Sequence, residues 1–128
     1  MLIMEPSNNN FIYHASYEDW GVIFYIMEKH GWAVVRMYIY KDDVESSYLI
    51  GLSVDEEHRH NHLATKLIKH YENIAKELGV EYSYLSVEKD EWMHEWYTKL
   101  GYVDFENNND VESQIWMRKL LTNNKEEQ

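Results

Sequence analysis

A chain of 128 residues is one domain's worth of polypeptide, and folding at that length buries roughly two thirds of the surface the unfolded chain exposes. With 45% hydrophobic and 15% aromatic residues, disorder is excluded, and twelve Lys and Arg against twenty-three Asp and Glu leave a net charge of −11. That charge repels phosphate backbones and anionic lipid and favours a cationic partner, while the absence of cysteine excludes a disulfide framework, a cysteine zinc finger and a thiol nucleophile.

No stretch reaches the ~18 apolar residues a membrane span needs, and the opening MLIMEPSNNN lacks a basic segment followed by a long apolar one. The expectation is a soluble cytoplasmic protein, monomer or homodimer, binding neither nucleic acid nor membrane. A single domain over 11–121 lies between polar tails at 1–10 and 122–128.

Trp20 to Met27 and Trp32 to Tyr40 are rich in aromatic and β-branched residues and are punctuated by Lys29-His30-Gly31 and Lys41-Asp42-Asp43, the composition of strands and turns. The first segment also has helical features. Ser16 with Asp19 resembles a capping box, and Trp20, Ile23, Phe24 and Met27 fall at helical spacing; the β-branched content favours strand. Ser46 to Val54 is a further strand, followed by the acidic turn Asp55-Glu56-Glu57. From Arg59 to Leu78, Leu63, Leu67, Tyr71, Ile74 and Leu78 recur at helical steps, and Gly79 supplies a left-handed stop. Tyr82 to Val87 reads as a strand, Glu91 to Leu100 as a helix ended by Gly101, and Tyr102 to Phe105 and Gln114 to Leu120 as strands around a polar hairpin loop, Asn107 to Asp110. The order is βββαβαββ, an α/β (α+β) fold with a mixed, mostly antiparallel sheet flanked by helices.

The segment YLIGLSVDEEHRHNHLATKLI resembles the cofactor-binding segment of the GNAT superfamily of N-acetyltransferases, marked by Q/R-x-x-G-x-G/A. Arg59 and Ala64 match that pattern, and His62 replaces its first glycine. Asp90 to Tyr102 resembles the family's N-x-x-A-x-x-hydrophobic-Tyr-x-K-x-G-aromatic pattern at Tyr97, Lys99, Gly101 and Tyr102, with Asp90 for asparagine and Met93 for alanine. The closing IWMRKL is similar to the family's last strand, so the resemblance covers residues 46 to 120.

The resemblance implies transfer of an acetyl group from acetyl-CoA to a primary amine by direct attack. Pyrophosphate needs several convergent donors, and the first turn of a helix offers unpaired N–H groups at the positive end of its dipole. Arg59, His60, Asn61, His62, Leu63, Ala64 and Thr65 form that turn. By the same resemblance the backbone of Leu52, Ser53 and Val54 would pair with the pantetheine arm, and an N–H near Val54 would face the acyl carbonyl. Asp90 and Tyr97 would also border the cofactor. Tyr97 would be the general acid for the departing thiolate, with an ordinary core aromatic as the alternative. Glu88 and Glu45 are the candidate general bases, beside a water chain.

His58, His60 and His62 have three readings: a solvated start to the helix, compensating contact with phosphate, or metal ligands. Alternate residues converge only on a strand, so no metal ligand set is assigned from this run. The acidic runs read as solvated surface or as a rim that gathers a cationic acceptor, small molecule or protein. Trp92 and Trp96, one turn apart, read as core packing rather than as a stacking platform. Beside the enzyme stands an alternative, a catalytically silent domain of the same fold acting through its acidic surface. Family members usually carry a helical pair between their first two strands, for which residues 1–45 leave little room, so the acceptor side is expected to be open.

Overall fold

The computed structural model describes residues 11–89, 91–105 and 113–121; the tails, Asp90 and the loop Asn107 to Asp110 lie outside them. Seven strands form one sheet: β1 (Ile12–Glu18), β2 (Gly21–Glu28), β3 (Gly31–Tyr40), β4 (Asp43–Val54), β5 (Tyr82–Glu88), β6 (Val103–Asp104) and β7 (Gln114–Leu120). Two helices, α1 (Leu63–Glu77) and α2 (Trp92–Lys99), flank β5 in sequence. The spatial order is β1-β2-β3-β4-β5-β7-β6. Every neighbouring pair is antiparallel except β4 and β5. This is the mixed, mostly antiparallel sheet with helices that the pattern predicts, with one strand more at its front.

Of the segment Trp20 to Met27, all but Trp20 resolves as strand β2, because both its edges are occupied: β1 pairs along it from Ile12↔Met27 to Glu18↔Gly21, and β3 pairs along the other side. β1 and β2 are joined by the two residues Asp19-Trp20, so a hairpin stands there. The predicted capping box is therefore the end of β1 and its turn. β3 and β4 are joined at Lys41 and Asp42, whose φ values of 54° and 71° make the left-handed pair a tight hairpin requires.

The buried residues of β2 and β3, Val22, Phe24, Ile26, Ala33, Val35 and Met37, alternate with half-buried ones, the pattern of one face turned to a core. α1 packs on β3 and β4 and buries Leu67, Ile68 and Tyr71 completely, with Lys66, Lys69 and Lys76 exposed between them. Each such Leu or Ile contributes roughly 1.5–3 kcal/mol of burial free energy. The opposite face of the sheet carries a band of rings: Trp20–Tyr38 at 5.1 Å, Tyr38–Tyr48 at 5.7 Å, Tyr48–Tyr84 at 5.0 Å and Tyr84–Phe105 at 5.5 Å. Among the described residues no helix is long and apolar enough to cross a membrane.

A buried polar chain ties α1 to the middle of the sheet. The Ser47 hydroxyl meets the Tyr71 hydroxyl at 2.7 Å, Tyr71 donates to Ser83 Oγ at 2.8 Å, and Ser83 Oγ lies 2.9 Å from the Tyr102 hydroxyl. Tyr102 donates to Glu72 Oε2 and Lys119 Nζ donates to Glu72 Oε1, both at 2.9 Å. Because Tyr102 spends its proton on Glu72, Ser83 must donate to Tyr102, and Ser47 to Tyr71. Every proton in the chain points toward one carboxylate, which keeps all its members satisfied away from water. Burial pushes the Tyr71 phenol up to about 12.

Candidate active site

The sheet opens where β4 meets β5. These parallel strands pair only at Ser47↔Ser83 and Tyr48↔Tyr84, directly over the polar chain, and diverge beyond it. Against β3 the register shifts so that Val35 faces Leu49 while Val34 faces Gly51, which leaves Ile50 as an extra residue on β4. A bulge bends the strand that carries it, here at the point where β4 leaves β5. The gap is a cleft of about 880 Å³ lined by β4 from Leu49 to Val54, by β5 from Leu85 to Glu88, and by residues of both helices.

At one end stands the turn that leads into α1. The predicted helix start at Arg59 is instead a 3-10 turn, Glu56–Asn61, and α1 begins only at Leu63. Between them His62 has φ 62° and ψ 20°, the left-handed region. A residue there breaks the helical path and re-aims the chain, a conformation glycine adopts without penalty and a residue with a Cβ does not. This is the position at which the motif has glycine, and the left-handed backbone is a physical reason for it. His62 makes no side-chain cap to the first N–H groups of α1.

At the other end α2 delivers Tyr97. It is 6% exposed, its ring packs edge-on to Tyr102 at 5.6 Å and to Trp96 at 4.9 Å, and it still lines the cleft. It is thus a core aromatic and a cleft residue together. Among the described residues its hydroxyl has no hydrogen-bond partner, and burial pushes the phenol well above its ordinary value of 10.0, so it keeps its proton throughout the neutral range.

Of the residues singled out in the sequence, the cleft brings together Leu52, Ser53, Val54, His62, Ala64, Thr65, Glu88 and Tyr97. Leu63 instead turns its side chain into the core, 8% exposed. Arg59, His60 and Asn61 belong to the 3-10 turn, and their side chains, like Asp90, lie outside the described residues. Glu88 is exposed at the end of β5 and accepts a long contact of 3.4 Å from Gln114 Nε2. Glu45, the other candidate base, is the extra residue of a second irregularity in β4, between Ser46 and Val44, and does not line the cleft.

Three features of the site differ from the sequence reading. Trp92 is 67% exposed on the cleft rather than packed in the core, while Trp96 does pack against it. Glu56 lines the cleft along with His62, so a negative charge stands at the end formed by the turn into α1. His58 is half-buried rather than fully solvated: its ring stacks on that of His30 with centroids 3.5 Å apart. None of these contacts has a local signal, since each depends on where the 3-10 turn and α2 dock.

The sequence matches the family model described as "Acetyltransferase (GNAT) family" over residues 5–102. No curated protein matches it in sequence. Among solved structures it is similar to an acetyltransferase from Bacillus cereus, at 25% identity and TM-score 0.58 over 87% of this chain and 73% of that one. It is also similar to the PaiA N-acetyltransferase of Thermoplasma acidophilum in complex with coenzyme A, at 19% identity and TM-score 0.61. That match covers 77% of this chain and 59% of that one. A GNAT family acetyltransferase from Elizabethkingia anophelis with acetyl-CoA bound is similar at 13% identity and TM-score 0.62, over 90% of this chain and all of that one, 100%.

Proposed function

Because the chain belongs to the GNAT acetyltransferase family, we propose that it transfers an acetyl group from acetyl-CoA to a primary amine, and that the cleft between β4 and β5 is where it does so. One observation carries this reading. The parting of β4 from β5 beyond Tyr48 puts strand backbone, an uncapped helix start and a protonated phenol around one cavity. Acetyl-CoA, when bound, supplies an acetyl group already activated as a thioester.

The chain's own residues do the rest. Leu52 to Val54 pair with β3 along one edge and leave the other edge to the cleft, where their backbone orients an amide-bearing arm as β5 would have been oriented. The N–H groups of Leu63, Ala64 and Thr65, with Arg59, receive the diphosphate. Tyr97 holds a proton at its hydroxyl and delivers it to the departing sulfur, a contribution of about 10² to 10⁴ in rate. Glu88, at the mouth, takes the proton of the attacking amine. The net charge of −11 concentrates cationic acceptors, small molecule or protein, around that mouth. A reducing cytoplasmic setting suits a chain without cysteine.

A second reading, a domain of this fold that does not turn over, is favoured by a specific pair of residues. His62 strains the phosphate turn, and Glu56 places negative charge beside it. Calorimetric titration with acetyl-CoA separates the two readings. Saturable binding with a rise in melting temperature supports the enzyme, because a ligand of the native state stabilises it by mass action. Absence of heat and of any shift at millimolar acetyl-CoA leaves the silent domain. An acetyl-lysine mass-spectrometry screen with and without the protein then identifies the acceptor.

A further inference from the structure

Three side chains that acetyl transfer leaves unused meet beside the end of β4. His30 lies in the turn between β2 and β3, Asp55 follows the last residue of β4, and His58 lies in the 3-10 turn. Their donor atoms all fall within 4.8 Å of one another. The backbone fixes the arrangement: the Asp55 N–H donates to the His30 carbonyl at 2.8 Å, and the His58 N–H donates to the Asp55 carbonyl at 2.8 Å. The His30 N–H in turn donates to Glu28 Oε1 at 2.7 Å.

The side chains themselves are poorly served by this proximity. His30 Nδ1 reaches Asp55 Oδ2 only at 3.3 Å. His58 Nδ1 is buried with no hydrogen-bond partner, so it bears a desolvation penalty that nothing among the described residues offsets. The two imidazoles lie 3.5 Å apart and 13° from parallel, the face-to-face stack that ring quadrupoles disfavour. Two imidazoles and a carboxylate form a donor set that suits zinc-like ions. In a tetrahedral site with bonds of 2.0–2.1 Å, donors stand about 3.3 Å apart, so from spacings of up to 4.8 Å the side chains draw together and the stacked rings turn to aim at one ion.

We propose that His30, Asp55 and His58 bind a divalent transition ion of the zinc class, with one position left to water. The ion satisfies His58 Nδ1 and staples the β2–β3 turn to the segment that runs from Val54 to His62. The overall charge of −11 draws cations to the surface that carries it. The H-x-H-x-H run is not the ligand set; only His58 of that run takes part, and its histidine partner comes from another turn. The proposal goes beyond acetyl transfer and does not depend on it.

The test uses the full chain, treated with chelator and dialysed, then titrated with zinc sulfate by calorimetry and followed by thermal melting. One zinc per chain and a raised melting temperature are expected. Cobalt(II) as a spectroscopic probe should give the intense visible bands of four-coordination. His30→Gln and His58→Gln should each weaken zinc by more than ~10-fold, whereas His14→Gln, exposed on β1, should leave it unchanged. Asp55→Asn replaces the carboxylate of a side chain 60% exposed by an amide of the same shape, so it tests the site without disturbing packing, and it too should weaken zinc. Substoichiometric zinc, or an affinity that His30→Gln and Asp55→Asn leave intact, overturns the proposal and makes the stack a packing contact.

Discussion

His62 sits in a backbone conformation that its side chain opposes, and replacing it tests the geometry of the whole phosphate turn. At φ 62° a Cβ crowds the following carbonyl at a cost of about 1–2 kcal/mol, of which glycine is relieved. Glycine gives back about 0.4–1 kcal/mol by enlarging the freedom of the unfolded chain. The net expectation for His62→Gly is a gain of up to ~1.6 kcal/mol. His62→Ala keeps the Cβ, and so the strain, while removing the exposed imidazole. The glycine variant should therefore melt above the alanine variant by about 2–6 °C for a domain of this size. Binding follows the same division. Both variants remove the imidazole from the cleft lining, and only glycine also clears the approach to the first N–H groups of α1. Acetyl-CoA should bind the glycine variant more tightly than the alanine variant. Thermal melts by circular dichroism and calorimetric titration read the two effects separately. A glycine variant no more stable than the alanine variant would refute the left-handed turn and, with it, the physical account of the motif's glycine.

Tyr97→Phe preserves the ring's packing and removes its proton, so turnover should fall by about 10²-fold or more with little change in acetyl-CoA affinity; steady-state rates against calorimetry check it. Glu56→Gln removes a like charge from the phosphate end and should tighten acetyl-CoA by up to about fivefold, an effect that fades as salt is raised. Ser83→Ala takes away the buried acceptor of the Tyr71 proton and the donor to Tyr102, and should destabilise the fold by about 1–3 kcal/mol in urea melts. His70 packs on Phe11 and Tyr13 and bonds the Tyr13 hydroxyl, and burial holds it below its ordinary value of 6.5. The unfolded chain takes up that proton first. The stability His70 contributes is therefore complete above about pH 6.5 and is lost as pH falls toward its depressed value. His70→Gln should flatten the fall in melting temperature over that acid range.

Elements with a strong local pattern were legible in the sequence. α1 shows its apolar stripe from Leu63 to Leu78 in the residues alone, and Gly79 and Gly101 mark the two helix ends with φ of 86° and 104°. β2 carried contradictory signals, since Trp20, Ile23, Phe24 and Met27 also fit a helix; pairing along both edges decided for strand. β1 has no such pattern, because Ile12 to Glu18 mixes polar and apolar residues on an exposed edge. Its strand character comes from the hydrogen bonds β2 offers rather than from its own propensity.

For the site, the spacing of Arg59, His62, Ala64 and Tyr97 was readable along the chain, because a motif is a local run whose residue types the chemistry restricts. Composition likewise determined the charge of the surface and the chemistry closed to a chain without cysteine. What only the tertiary structure decided is how distant segments meet. The divergence of β4 from β5, the exposure of Trp92 on the cleft, the descent of every proton from Ser47 to Glu72, and the meeting of His58 with His30 all join residues far apart in sequence. Such contacts depend on strand register and on how the helices dock. A one-residue change in register moves every side chain of a strand to the other face while leaving its sequence pattern as it was.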